Sequence, residues 1–169
     1  FLWSPEEAEK ISEEHKDQIH FLNKKGTEIV KEYLNSSKML AYSTGTDWSP
    51  FTKGYFKTEK KFQITMDCDS EIKKWLYNLG IPFDKYVFVE SDNSGQAIML
   101  TWKMVIKYWE GMFWDTDLTI FDGSLNWALF YYHESQLFFG NDNVFDQEAE
   151  FEKNLEQNKL LNDIKNRIK

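Results

Sequence analysis

The segment from Leu125 to Tyr132 is apolar on both sides of a strand, with Leu125, Trp127, Leu129 and Tyr131 alternating with Ala128, Phe130 and Tyr132. Such a strand must be covered on both faces, so it predicts a central strand with packing layers above and below. Leu118 to Phe121 and Gln136 to Phe139 read as its companions. Asp122-Gly123 and His133-Glu134-Ser135 supply the turn chemistry between the three. The expectation is an antiparallel meander near residues 117–140.

The rest of the chain predicts an α+β fold in a single domain, residues 1–169, with this sheet packed by N-terminal and C-terminal helices. Ser4-Pro5-Glu6-Glu7 combines a capping hydroxyl, proline at the first helical position and acids at the positive pole of the dipole. Ala8, Ile11, His15, Ile19 and Leu22 then share one helical face. Gly26 is expected to end or bend that helix, with Thr27 capping a second that reaches Tyr33 or Leu34. Met39 to Thr44 reads as a strand, followed by a turn-rich loop from Gly45 to Pro50. Gly54 to Met66 reads as a strand or hairpin whose apolar positions are Phe56, Phe62, Ile64 and Met66.

Asp67-Cys68-Asp69-Ser70-Glu71 caps a short helix that buries Ile72, Trp75, Leu76 and Leu79 and stops at Gly80 and Pro82. Tyr86 to Glu90 and Ala97 to Leu100 form a hairpin around the Ser91–Gly95 turn formers, and Thr101 to Met112 fits a helix through Trp102, Val105, Ile106 and Trp109. A last helix from about Asp146 carries the stripe Phe151, Leu155, Leu161, Ile164 and Ile168.

Composition narrows the function classes. The hydrophobic share of 41% and aromatic share of 17% in 169 residues supply a substantial core. A formal net charge of −8 repels phosphate backbones and anionic lipid, which argues against nucleic-acid and membrane partners. The single Cys68 excludes an internal disulfide and fits a reducing, cytoplasmic setting. The opening FLWSPEEAEK lacks the pattern of a signal peptide, although numbering begins at Phe1 rather than Met. Lys53, Lys57, Lys60 and Lys61 form the one basic cluster, read as a solvated strand edge.

Between Lys107 and Lys153 there is no Lys or Arg, while ten acids occur: Glu110, Asp115, Asp117, Asp122, Glu134, Asp142, Asp146, Glu148, Glu150 and Glu152. Trp109, Trp114 and Trp127 fall in the same stretch. Carboxylates beside aromatic anchors suit a basic protein partner, because charge steers the encounter and buried rings hold it. The plainer account is that the aromatics fill the core and the acids keep its rim solvated. Trp114, Asp115, Asp117, Asp122, Glu134 and Asp142 are the candidate partner-binding residues.

An enzyme is the alternative: Asp115, Asp117, Asp122, His133 and Glu134 as a hydrolytic group, with a divalent metal on oxygen ligands. The spacing gives this little support. Counting an EF-hand loop from Asp115 places Ile120 and Asn126 where glycine and a carboxylate belong, and counting from Asp67 places Ile72 and Asn78 there. His133-Glu134 lacks the second histidine of HExxH, and His15 and His20 point to different sides of a helix. Cys68 lies between Asp67 and Asp69, which oppose thiolate formation, and Gly123-Ser124-Leu125 is not a nucleophile elbow. No GxGxxG or Walker pattern occurs, so no cofactor is expected.

The segment from Asp117 to Gly140 resembles the closing segment of small bacterial immunity proteins of polymorphic and contact-dependent toxin systems. In those, a strand of W-x-hydrophobic-x-hydrophobic pattern ends in His and an acid, and a short strand ending in glycine follows. The corresponding residues are Trp127, Leu129, Tyr131, His133-Glu134 and Gly140. The resemblance spans about 24 residues and implies a non-catalytic protein that binds and blocks a cognate toxin. With the charge distribution, it yields the expectation of occlusion of a basic toxin's active site.

Overall fold

Strands β5 (Leu118–Phe121), β6 (Trp127–Tyr132) and β7 (Gln136–Asn143) form the expected meander in a computed structural model of the chain. The structure describes residues 9, 11–41, 48–91, 96–114, 116–146, 148–149, 151–152, 155–156 and 159. The expected helix start at Ser4, residues 42–47 of the strand and loop after Met39, residues 92–95 of the turn expected from Ser91 to Gly95, Asp115 and most of the C-terminal stripe lie outside them.

Register explains the two-sided apolar pattern of β6. Leu118 pairs with Tyr131, which pairs with Leu137, and Ile120 with Leu129, which pairs with Phe139; these fill one face. On the other face Thr119 meets Phe130, which meets Phe138, while Phe121 meets Ala128. All of these side chains are buried. Burying a large apolar side chain stabilises by roughly 1.5–3 kcal/mol, so this meander dominates the packing energy of the sheet.

β3 (Tyr86–Ser91) pairs with β5 and, as the expected hairpin, with β4 (Ile98–Thr101). The far side of β4 is closed by β1 (Ile19–Phe21), in the register Ile19↔Leu100 and Phe21↔Ile98. The N-terminal region therefore departs from the single helix predicted through Ile19 and Leu22. Helix α1 (Glu13–Lys16) is one turn, and the chain then becomes a strand. The unpaired N–H and C=O groups along β4 need partners more than the side-chain spacing needs a helix. Ile19 is buried in the strand as it would be in a helix.

Helix α2 (Lys24–Ser36) starts earlier than expected, because the Asn23 side chain accepts from the Gly26 N–H at 2.9 Å and caps it. Gly26 thus sits in the first turn rather than ending a helix. Thr27, expected as a cap, accepts from the Ala97 N–H through its hydroxyl at 2.9 Å.

β2 (Phe56–Gln63) pairs with the outer side of β7, giving a seven-stranded antiparallel sheet in the order β1-β4-β3-β5-β6-β7-β2. Lys57, Lys60 and Lys61 are exposed on this outermost strand, a charge placement that hinders edge-to-edge association. Residues 42–44 of the strand expected from Met39 to Thr44 lie outside the described residues; within them Leu40 forms an antiparallel bridge with Phe51.

Helices cover both faces. On the Leu129 face lie α3 (Asp69–Tyr77), α4 (Trp102–Lys107) and α5 (Trp109–Met112), which bury Ile72, Leu76, Trp102, Met104 and Trp109. The helix expected from Thr101 to Met112 is broken at Tyr108, whose backbone leaves helical geometry at φ −112° and ψ 30°. The Phe130 face is covered by Val30 and Leu34 of α2 with Met39, Phe51, Tyr55 and Phe56. The described C-terminal residues from Glu148 to Lys159 have helical backbone, but Phe151 and Leu155, expected to face the core, are exposed. Both faces of the sheet are already occupied. No helix among the described residues is long and apolar enough to cross a membrane.

Candidate functional site

A meander turns at alternate ends of its sheet, and this divides the candidate residues. Asp117 immediately precedes β5 and, because β5 and β6 are antiparallel, lies beside the end of β6. Its Oδ1 accepts the His133 backbone N–H at 2.8 Å and lies 2.7 Å from His133 Nδ1. His133 Nε2 is 3.8 Å from the Glu134 carboxylate, and the Glu134 side chain is largely in solvent.

Trp114 reaches the same end from α5. Its carbonyl accepts from the Tyr131 hydroxyl at 2.7 Å, and the preceding Phe113 is buried with its ring 5.4 Å from that of Tyr131. The backbone is anchored while the indole is 79% exposed. Trp102, Trp109 and Trp127 are buried, so Trp114 is the tryptophan of this stretch that is held out to water. With its backbone fixed, only the two side-chain torsions of the indole remain to be ordered on binding.

Asp122 and Asp142 lie at the opposite end, beyond the four residues of β5 that separate Asp117 from Asp122, or roughly 13 Å of strand. Asp122 is only 4% exposed. It accepts from Trp127 Nε1 at 3.1 Å, from the Ser124 N–H at 2.8 Å and from the Ser124 hydroxyl, and it pairs with Lys85 at 3.2 Å. Burial alone raises its pKa, but Ser124, Lys85 and Trp127 together outweigh burial and hold the carboxyl below its ordinary value. Asp122 is a structural corner joining the β5–β6 turn to β3. Asp142 is exposed, with a left-handed φ of 61° and its carboxylate bonded to Asn141.

The structure therefore brings together Trp114, Asp117 and Glu134, and leaves Asp122 and Asp142 apart. Asp115 lies outside the described residues. The proposed hydrolytic group is split in the same way, with Asp117, His133 and Glu134 adjacent and Asp122 distant. Among the described residues no group of three or more His, Cys, Asp or Glu side chains is arranged to hold a metal ion. Cys68 is buried at the start of α3.

Two further residues belong to the Trp114 end. β2 stops at Gln63, and Met66, expected as an inward strand position, is instead 96% exposed at the tip of the turn into α3. Asp67 follows with a left-handed φ of 67°. The Ile64 N–H donates to Ser135 O at 2.8 Å, and the Gln63 amide donates to Ser135 O at 3.0 Å and Glu134 O at 3.4 Å, so this turn is stitched to the β6–β7 turn. Trp109 Nε1 donates to Asp69 at 2.9 Å, which ties the start of α3 to α5. With Lys73 first and Trp109 second, these bonds lower the Asp69 pKa. The sequence offered one signal: three capping-type residues directly after Met66 leave no room for a strand to continue.

On the other side of β2, Trp48, Lys61, Phe62, Gln63, Gln136 and Phe138 line a shallow groove of about 340 Å³. Lys61 donates to Trp48 O at 3.0 Å and lies 5.2 Å from the Phe138 ring centre. The chain matches no family model, no curated protein and no solved structure.

Proposed function

We propose that this protein is a non-catalytic, acidic binding protein that works in the cytoplasm and blocks a basic protein by covering its active surface, as immunity proteins block their toxins. The observation that carries the reading is Trp114: an indole 79% exposed on an anchored backbone, at the sheet end that carries Asp117 and the His133-Glu134 turn. Tryptophan is the residue type most enriched among the anchors of protein–protein interfaces, and carboxylates beside it suit a basic partner. The resemblance through Trp127, Leu129, Tyr131 and His133-Glu134 supports the same reading, because the His-Glu pair forms the turn that carries this surface.

The proposed mechanism has two parts. Carboxylates without neighbouring cations on their own strands draw a basic partner within about a Debye length, roughly 8 Å at physiological salt. Trp114 then buries against it and slows dissociation.

The test uses the partner isolated from the cell of origin. Trp114→Ala should weaken binding at least about tenfold, mainly by faster dissociation, with the melting temperature unchanged. Glu134→Lys should slow association and flatten its salt dependence. If both variants bind as the parent protein does, this surface is not the binding site.

A further inference from the structure

Resting on the reading just given, we infer that the β2–α3 turn, Met66 and Asp67, is the second contact element of the same surface, and that its partner is a basic protein with an apolar socket between its cations. Met66 is the most exposed large apolar residue described, at 96%. It leads into α3, whose Ile72 and Leu76 pack in the same core cluster as Phe113, the residue before Trp114. From Tyr131, which holds Trp114, the register steps to Leu137 and then to Phe62, just before the turn. Two strand spacings put Tyr131 and Phe62 roughly 10 Å apart, so the anchor of Trp114 and the strand that leads to Met66 fall within a single protein–protein footprint.

Three hydrogen bonds from Gln63 and Ile64 to the backbone carbonyls of Glu134 and Ser135 join the end of β2, two residues before Met66, to the β6–β7 turn. Charge specifies the occupant. Asp67 follows Met66 directly and is exposed, and Glu134, also exposed, stands in the turn joined to the end of β2, while Asp69 is matched by Lys73 at 2.6 Å and Asp117 lies 2.7 Å from His133. A surface of this sign disfavours anionic lipid and nucleic acid and favours Lys or Arg beside an apolar recess.

The experiment follows Met methyl and Trp indole NMR signals of the full chain during titration with a basic peptide of alternating Lys and Leu. A peptide of alternating Glu and Leu serves as control. The Met66 methyl and Trp114 indole should shift together with one saturation curve, weakened by salt, and the acidic peptide should move neither. Asp67→Gly supplies a variant that folds, because glycine accepts the left-handed φ; it should weaken peptide binding about two- to fivefold without lowering the melting temperature. If Trp114 shifts while Met66 stays still, the inference is overturned and the Trp114 reading stands. If neither signal moves, both are overturned.

Discussion

Gly140 provides the sharpest test of how β2, and with it the Met66 turn, is held to the sheet. A Cβ placed on Gly140 falls 2.0 Å from Phe56 Cδ2, 2.4 Å from Cε2 and 2.6 Å from Cγ. Carbon atoms in contact need about 3.5–4.0 Å, so the Phe56 ring must retreat by roughly 1.5 Å or more. It has nowhere to go. Phe51 and Tyr55 both pack edge-on against it at 4.9 Å, and its backbone is paired with Asn143.

Gly140→Ala therefore either expels a buried phenylalanine or parts β2 from β7. Losing that burial costs roughly 1.5–3 kcal/mol, and overpacking costs in similar substitutions run from about 1 to 3 kcal/mol. Alanine's lower conformational entropy in a strand returns roughly 0.5–1 kcal/mol. The expected net loss is about 0.5–2.5 kcal/mol, or roughly 1–10 °C in melting temperature for a chain of this size.

Urea unfolding of Gly140→Ala, Phe56→Ala and the double variant measures this directly. With Phe56 already removed, Gly140→Ala should be neutral or slightly stabilising, giving a coupling energy of about 1–3 kcal/mol. A Gly140→Ala variant within about 0.5 kcal/mol of the parent, or one equally destabilised in both backgrounds, would refute the packing argument.

Asp122→Asn should destabilise the protein by about 1.5–3 kcal/mol at pH 7, because bonds to Lys85, Ser124 and Trp127 lose their charge. The folded carboxyl is held below its ordinary pKa, so its contribution is complete above about pH 4 and is lost as pH falls through the lowered folded value. The gap between parent and variant should narrow below pH 4; an equal gap at pH 7 and pH 2.5 in denaturant titrations would contradict this. Millimolar Mg²⁺, Mn²⁺ or Zn²⁺ should leave the melting temperature within about 1 °C, whereas a chelator-reversible rise of several degrees that Asp117→Ala abolishes would favour the metal-dependent enzyme.

The core of the sheet was legible because its signal is local. Six consecutive residues of β6 report burial on both faces, and His133-Glu134-Ser135 fixes where the strand ends; its start was misplaced, because Leu125, at φ 51°, belongs to the turn and packs on the Phe130 face. The N-terminus was not legible in the same way. Ile19 fits a buried position in a helix or a strand alike, and what decides between them is the open edge of β4, eighty residues away. Tyr108 likewise breaks a helix that spacing alone would continue.

The division of the acidic stretch is a different kind of miss, since the topology that produces it was already predicted. In a meander, successive turns lie at opposite ends, and residues flanking one short strand are separated by its length. Asp117 and Asp122 bracket β5, so their closeness in sequence places them at opposite ends of the sheet. Asp117 and Glu134, seventeen residues apart, meet because a complete hairpin lies between them. Met66 joins them from farther away, through the pairing of β2 with β7. The charge gap from 108 to 152 thus supplies the sign of the field, while strand pairing selects the carboxylates that act together. A partner that contacted Asp122 or Asp142 as strongly as Glu134 would have to span both ends of the sheet, or displace Lys85 from a buried carboxylate. Leaving a buried charge unpaired costs about 3–5 kcal/mol, so a contact surface confined to the Trp114 end is the one the fold favours.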